Sequence, residues 1–177
     1  MARYRRNFIA GGTFFFTVKL ANPKSRLLVE HIGLLRAAYI AVQKQYLFET
    51  VAACVMPNHM HTIWTLSPDD SNYSLRWRLI KRNFSVHFPA AANLSPSKQR
   101  RGERGIWQRR YWEHQIRSQE DLNAHIDYIH INPVKHGYVT YVADWPYSSF
   151  HRYVRQGILP ADWAGGDMED SSFGEPW

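Results

Sequence analysis

The stretch from Val51 to Leu66 constrains this chain most. An apolar run, Val51 to Met56, meets the breaker Pro57-Asn58, and His59 to Leu66 then returns with β-branched and aromatic residues. Two such runs joined by so short a link read as an antiparallel hairpin. Successive side chains of a strand point to opposite faces. His59 and His61 therefore share one face, and Met60 projects from the other. Two neutral imidazoles on one face supply part of a metal site that keeps open positions for substrate.

The rest of the chain supplies a setting for that hairpin. Thr13 to Leu20 follows Gly11-Gly12 and reads as a first strand, ended by Asn22-Pro23. Apolar residues at Leu27, Leu28, Ile32, Leu35, Ala38 and Val42 predict a helix over 24–46. Leu75, Leu79 and Phe84 predict another, to about His87. The segment 89–105 reads as a loop, and 106–116 as extended chain. Ser118-Gln119-Glu120-Asp121 resembles a helix start, and Pro133 predicts the end of that helix near Asn132. A last short helix is expected within 147–155. Strand runs with interleaved helices indicate an α+β architecture, an antiparallel sheet with helices packed on it. We expect one domain over 1–160 and a flexible acidic tail over 161–177.

Charge is unevenly distributed. The 177-residue chain carries +7 overall, and ten basic residues lie between Arg76 and Arg110 with Glu103 as the only acid there. The tail holds five acids and no base. An acidic partner is expected, with nucleic acid favoured over a merely solvated face. Trp77, Trp107, Tyr111 and Trp112 lie among these arginines and are candidates to stack on unpaired bases. Cys54 is the only cysteine, which excludes a disulfide framework and a cysteine-based zinc site, and it reads as a small buried hydrophobe. No apolar stretch resembles a signal peptide or a membrane span, so a cytoplasmic protein is expected.

On a helical wheel, Leu122, Ile126 and Ile129 form a core face, and Asp121, His125, Tyr128 and Asn132 form a second stripe. If that stripe lies over His59 and His61, two imidazoles, an amide oxygen and a phenol surround one small space. A divalent cation held there would polarise a phosphate for in-line attack by Tyr128, giving a phosphotyrosine and a free 3′-hydroxyl. His125 shares the stripe and stands as an alternative ligand or phosphate contact.

These residues carry a resemblance. The triplet His59-Met60-His61 with one helical tyrosine resembles the HUH endonuclease superfamily in its single-tyrosine branch. The chain is more closely similar to REP-associated tyrosine transposases. The similarity runs through Tyr4-Arg5-Arg6, Met56 to His61, Ile106-Trp107-Gln108, Trp112-Glu113-His114, Tyr128 to Gly137 and Asp144 to Phe150. It implies a ferredoxin-like, RRM-like sheet and cleavage of single-stranded DNA beside hairpins of repetitive extragenic palindromes, dependent on Mg²⁺ or Mn²⁺. Carried over by position, His59 and His61 are metal ligands, Tyr128 is the nucleophile and Asn132 the third ligand. Arg3, Arg5, Arg6, Arg78, Lys81, Arg82, Trp107, Arg109, Arg110 and Lys135 are the candidate DNA contacts. A competing reading is a non-catalytic RRM-like binding module indifferent to metal. Whether one copy or two act together is left open.

Overall fold

In the computed structural model, residues 8–165 are described, and the expectations for Arg3, Arg5, Arg6 and most of the acidic tail lie outside them. Four strands form one antiparallel sheet: β1 (Thr13–Lys19), β2 (Phe48–Val55), β3 (His59–Leu66) and β4 (Trp112–Gln115). Their order is β2-β3-β1-β4. The hairpin read from Val51 to Leu66 is present, with Met56 N–H donating to the His59 carbonyl across the turn.

The helices are α1 (Leu27–Glu30), α2 (Ile32–Gln45), α3 (Tyr73–Ser85), α4 (Pro96–Arg100), α5 (Gln119–Lys135) and α6 (Phe150–Arg155). The crossover from β1 to β2 carries α2, and that from β3 to β4 carries α3, giving the β-α-β-β-α-β chain of a ferredoxin-like sheet. Phe14, Phe16 and Val18 of β1 and Met60, Trp64 and Leu66 of β3 pack with Leu35, Val42, Trp77, Ile80 and Phe84 in one core. The alternate residues, Phe15 and Ile63, pack with Tyr128 and Ile129 of α5 in a second core. Both faces of β1 and β3 are thus covered, which is why Phe14, Phe15 and Phe16 are all fully buried. Trp64 and Trp77 stack at 4.3 Å between ring centroids, so Trp77 is a core residue rather than a base-stacking platform.

Several boundaries differ from the sequence reading. The helix expected over 24–46 breaks at His31 into two. Only Trp112–Gln115 of the extended 106–116 segment joins the sheet as a strand, with Leu20 and Trp107 forming an isolated bridge before it. The loop 89–105 contains the short α4. The largest difference is at Pro133, where α5 continues through the proline to Lys135. Proline there removes one backbone donor, but Pro133 is itself buried, as are Tyr128 and Ile129 on the preceding turn, and packing of that face outweighs the local preference. The true stop is Gly137 at φ 70°. Gly137 N–H donates to the Val134 carbonyl and Tyr138 N–H to that of Pro133, the paired bonds of a Schellman end.

Candidate nuclease site

β3 presents His59 and His61 toward α5, as the period of two requires. Their ring centroids lie 4.9 Å apart. The first turn of the hairpin orients His59: Asn58 Nδ2 donates to the Pro23 carbonyl, so Asn58 Oδ1 faces His59 Nδ1 at 2.6 Å and accepts its proton. His61 Nδ1 lies 2.9 Å from Thr17 Oγ1 on the neighbouring strand. In both rings Nδ1 makes the hydrogen-bond contact and Nε2 is buried; an outer contact at one nitrogen is what orients an imidazole that could hold a cation through the other.

α5 lays its second stripe over this face. The Tyr128 ring stands edge-on to His61 at 5.2 Å and to Phe15 at 6.0 Å. Phe15 in turn stacks on His61 at 5.6 Å, so the phenol is wedged by two rings. Lys135 Nζ lies 5.5 Å over the Tyr128 ring, two turns further along the helix. Asn132 is fully buried, and neither atom of its amide has a hydrogen-bond partner among the described residues. A buried amide left without partners costs roughly 1–3 kcal/mol per group, so such an atom calls for a ligand. Two imidazole nitrogens and an amide oxygen form a donor set that suits a divalent cation.

Two further features were not assigned from sequence. His136, just beyond α5, sets its ring 5.2 Å from that of His59. Its signal was its place in the His-Gly end of α5, eight residues beyond Tyr128. More prominently, His114, Asp121 and His125 are the only three or more His, Cys, Asp or Glu residues among those described whose ligand atoms lie within 4.8 Å of one another. His125 was noted as an alternative ligand; it groups with His114 and Asp121 instead. Burial opposes ionisation of Asp121, but hydrogen bonds from His114 and from the Arg117 N–H outweigh it and hold the carboxyl below its usual range. Burial pushes the His125 imidazolium pKa down.

On the opposite layer, α3 and the segment 101–111 enclose a cleft of about 1190 Å³ whose lining includes Arg78, Lys81, Arg82, Arg104 and Arg109. Lys81 donates to the Gln108 carbonyl, and Arg109 pairs with Glu103. Arg78 and Arg82, four residues apart on α3, are exposed, and their side chains form no hydrogen bond or ion pair among the described residues. Arg110 is exposed beside the cleft. Trp107 is 7% exposed and belongs to the core, so it offers the cleft an edge rather than an open ring. Arg76 is removed from the basic surface altogether: it is buried against Asp70 at 2.7 Å and donates to the carbonyls of Tyr46, Leu47 and Asn72. The cleft and the histidines adjoin one end of the sheet. Gln108 N–H donates to the Lys19 carbonyl, and Lys19 stands opposite His59.

The molecule is therefore an α+β protein of ferredoxin-like topology that holds a strand-borne histidine pair against a helical tyrosine, beside a basic cleft. No family model matches the chain. It is 49% identical over 175 residues to the REP-associated tyrosine transposase of Escherichia coli (strain K12), covering 99% of this chain and 98% of that protein. A putative REP-associated tyrosine transposase of Haemophilus influenzae is 46% identical over 166 residues, 93% of this chain and 94% of its own. The chain also matches a solved REP-associated tyrosine transposase bound to a REP hairpin, with a TM-score of 0.84, 48% identity, and coverage of 99% and 98%. The chain belongs to the REP-associated tyrosine transposase family, whose members are enzymes. No helix among the described residues is long and apolar enough to cross a membrane.

Proposed function

We propose that this protein cleaves and rejoins single-stranded DNA beside a palindromic hairpin, with Tyr128 as nucleophile. The observation that carries the reading is the 5.2 Å contact of the Tyr128 ring with His61, with the buried, unpartnered amide of Asn132 one turn further along α5. The hairpin partner is supported by the similar transposase solved with a REP hairpin.

His59, His61 and Asn132 would hold a divalent ion, Mg²⁺ or Mn²⁺. Bound there, it supplies Lewis-acid polarisation of the scissile phosphate. The Tyr128 Oη forms a bond to phosphorus, the bond to the 3′-oxygen breaks, and the products are a 5′-phosphotyrosine and a free 3′-hydroxyl. A phenol has a pKa of about 10 and needs help to attack at neutral pH. Lys135, over the Tyr128 ring, favours the phenolate and can contact the phosphate. The ester keeps the energy of the broken bond, so a second 3′-hydroxyl can reverse the step without ATP.

Arg78, Arg82 and Arg109 in the cleft, with Arg110 beside it, bind the phosphates of the hairpin's single-stranded flank, and Lys81 anchors the cleft wall. Gln108 and His59 are separated by two strand spacings, roughly 10 Å. A single-stranded flank leaving the cleft therefore reaches the histidines around the end of β1. Arg3, Arg5 and Arg6 are proposed as further phosphate contacts on their sequence alone, and the body of the enzyme is taken as 1–160.

A denaturing gel tests this. Hairpin oligonucleotides with single-stranded flanks, labelled at either end, are incubated with Mn²⁺ or EDTA. We expect a metal-dependent, protease-sensitive adduct on the 3′-side fragment, absent from Tyr128→Phe with hairpin binding retained. Full cleavage by Tyr128→Phe would remove the tyrosine from this role. Binding that is indifferent to EDTA, with no cleavage, would support a binding module instead.

A further inference from the structure

The stripe of α5 that carries Tyr128 and Asn132 begins, two turns earlier, with Asp121 and His125. Asp121 accepts from His114 Nε2 of β4 at 2.9 Å, and His125 Nδ1 lies 3.0 Å from its Oδ1. The two imidazoles are stacked, 4.7 Å apart with 12° between planes. His114 stands directly opposite Phe15 in the β1–β4 register, and Phe15 touches His61, His125 and Tyr128. One row of rings across three strands thus runs from His61 through Phe15 to His114, with α5 lying along it.

A metal ion is not what this group is built to hold. His125 Nδ1 lies 2.8 Å from the Asp121 backbone carbonyl, which only accepts, so that nitrogen carries its hydrogen. His114 Nε2 faces both oxygens of an ionised carboxylate and carries its hydrogen too. The nitrogens that converge are donors, and a cation there would require both rings to switch tautomer and give up these hydrogen bonds. What they do make is a charge-assisted bridge between the edge strand and the first turns of the helix. The Arg117 N–H and the Ser118 cap complete it, since Asp121 Oδ2 accepts from the first and Asp121 N–H donates to the second.

We propose that His114, Asp121 and His125 are positioning residues that set where α5 sits along the sheet, and so where the Tyr128 oxygen meets the phosphate. The inference rests on Tyr128 being the nucleophile. A helix advances 1.5 Å per residue, so even a partial slide carries the phenol out of line. Misplacement by 1 Å can cost about 100-fold in rate.

The test uses the full chain, a hairpin substrate and Mn²⁺, and measures adduct formation in single turnover at saturating DNA alongside hairpin affinity. Asp121→Ala and His114→Ala are expected to slow adduct formation about 10- to 100-fold, with affinity unchanged within twofold. His114→Gln, whose amide nitrogen can donate to the same carboxylate, is expected to recover most of the rate. Recovery separates positioning from loss of fold, because both His114 variants remove the ring but only one removes the donor. Wild-type rates in Asp121→Ala would overturn the proposal, as would rate and affinity falling together. So would Mn²⁺ bound by a His59→Ala/His61→Ala protein and lost on adding Asp121→Ala, which would make the group a metal site. A wild-type protein that forms no adduct at all would instead remove the nucleophile reading beneath it.

Discussion

Replacing Asn132 with leucine should make the metal-free protein more stable while destroying its activity. Asn132 is fully buried, and both amide atoms lack partners among the described residues. Each such group carries a desolvation cost of roughly 1–3 kcal/mol, and removing it is neutral or favourable when an apolar group of like shape takes its place. Leucine keeps the branching at Cγ but adds bulk, and overpacking typically costs about 1–3 kcal/mol. The net expectation is a gain of about 2 kcal/mol in EDTA. For a chain of this size that is an increase of about 4–8 °C in Tm. Mn²⁺ at a hundredfold excess over its dissociation constant should stabilise the wild type by about 2.7 kcal/mol and the variant by much less. The order of stabilities should therefore close or invert when metal is added. Thermal denaturation followed by circular dichroism, in EDTA and in Mn²⁺, reads this directly. A variant less stable than wild type in EDTA, with an undiminished response to Mn²⁺, would refute the argument: the amide would then be a structural residue. Asn132→Ala, which removes the same atoms without added bulk, should be near neutral in EDTA and equally unresponsive to metal.

The remaining expectations concern the basic layer and the chemistry. If about six phosphates of a single strand are neutralised, log affinity for the hairpin flank should fall with log salt at a slope of about −4; Arg78→Ala and Arg82→Ala should each make it shallower by about 0.7, measured by fluorescence anisotropy, whereas Arg76→Ala should unfold the protein instead. Lys135→Met should lower the rate of adduct formation more than affinity, with the rate recovering as pH rises toward the phenol's range; parallel losses of rate and affinity would make Lys135 a DNA contact alone. Asp70 is held below the usual carboxylate range first by its hydrogen bond from Arg76, so its contribution is fully present above the unfolded pKa of about 3.9 and is lost as pH falls through the lower folded value. Asp70→Asn should thus destabilise by about 1.5–3 kcal/mol at pH 7, the range for a hydrogen bond to a charged group, and urea titrations should show the difference vanish in strong acid.

Two periodicities made much of the site legible before any tertiary contact was known. A strand repeats every two residues, so His59 and His61 had to share a face. A helix repeats every 3.6, so Tyr128 and Asn132 had to share a stripe with Asp121 and His125. Both statements depend only on local backbone geometry. What local geometry cannot decide is which surfaces meet. That α5 covers the His59/His61 face follows from Phe15 and Ile63 being apolar on that side and needing Ile129 to bury them. Long-range packing also overruled local preference at Pro133, where a buried face carried the helix past a residue that ordinarily ends one. It took Trp77 and Trp107 into the core and Arg76 into a cage of carbonyls, because a small protein with helices on both faces of its sheet must fill its interior with whatever large side chains the crossover between β3 and β4 presents. His114 gave no sign of its role from spacing, being seven residues from Asp121 across a chain reversal. Only the pairing of β4 with β1 placed it opposite Phe15, within reach of the helix that carries Tyr128.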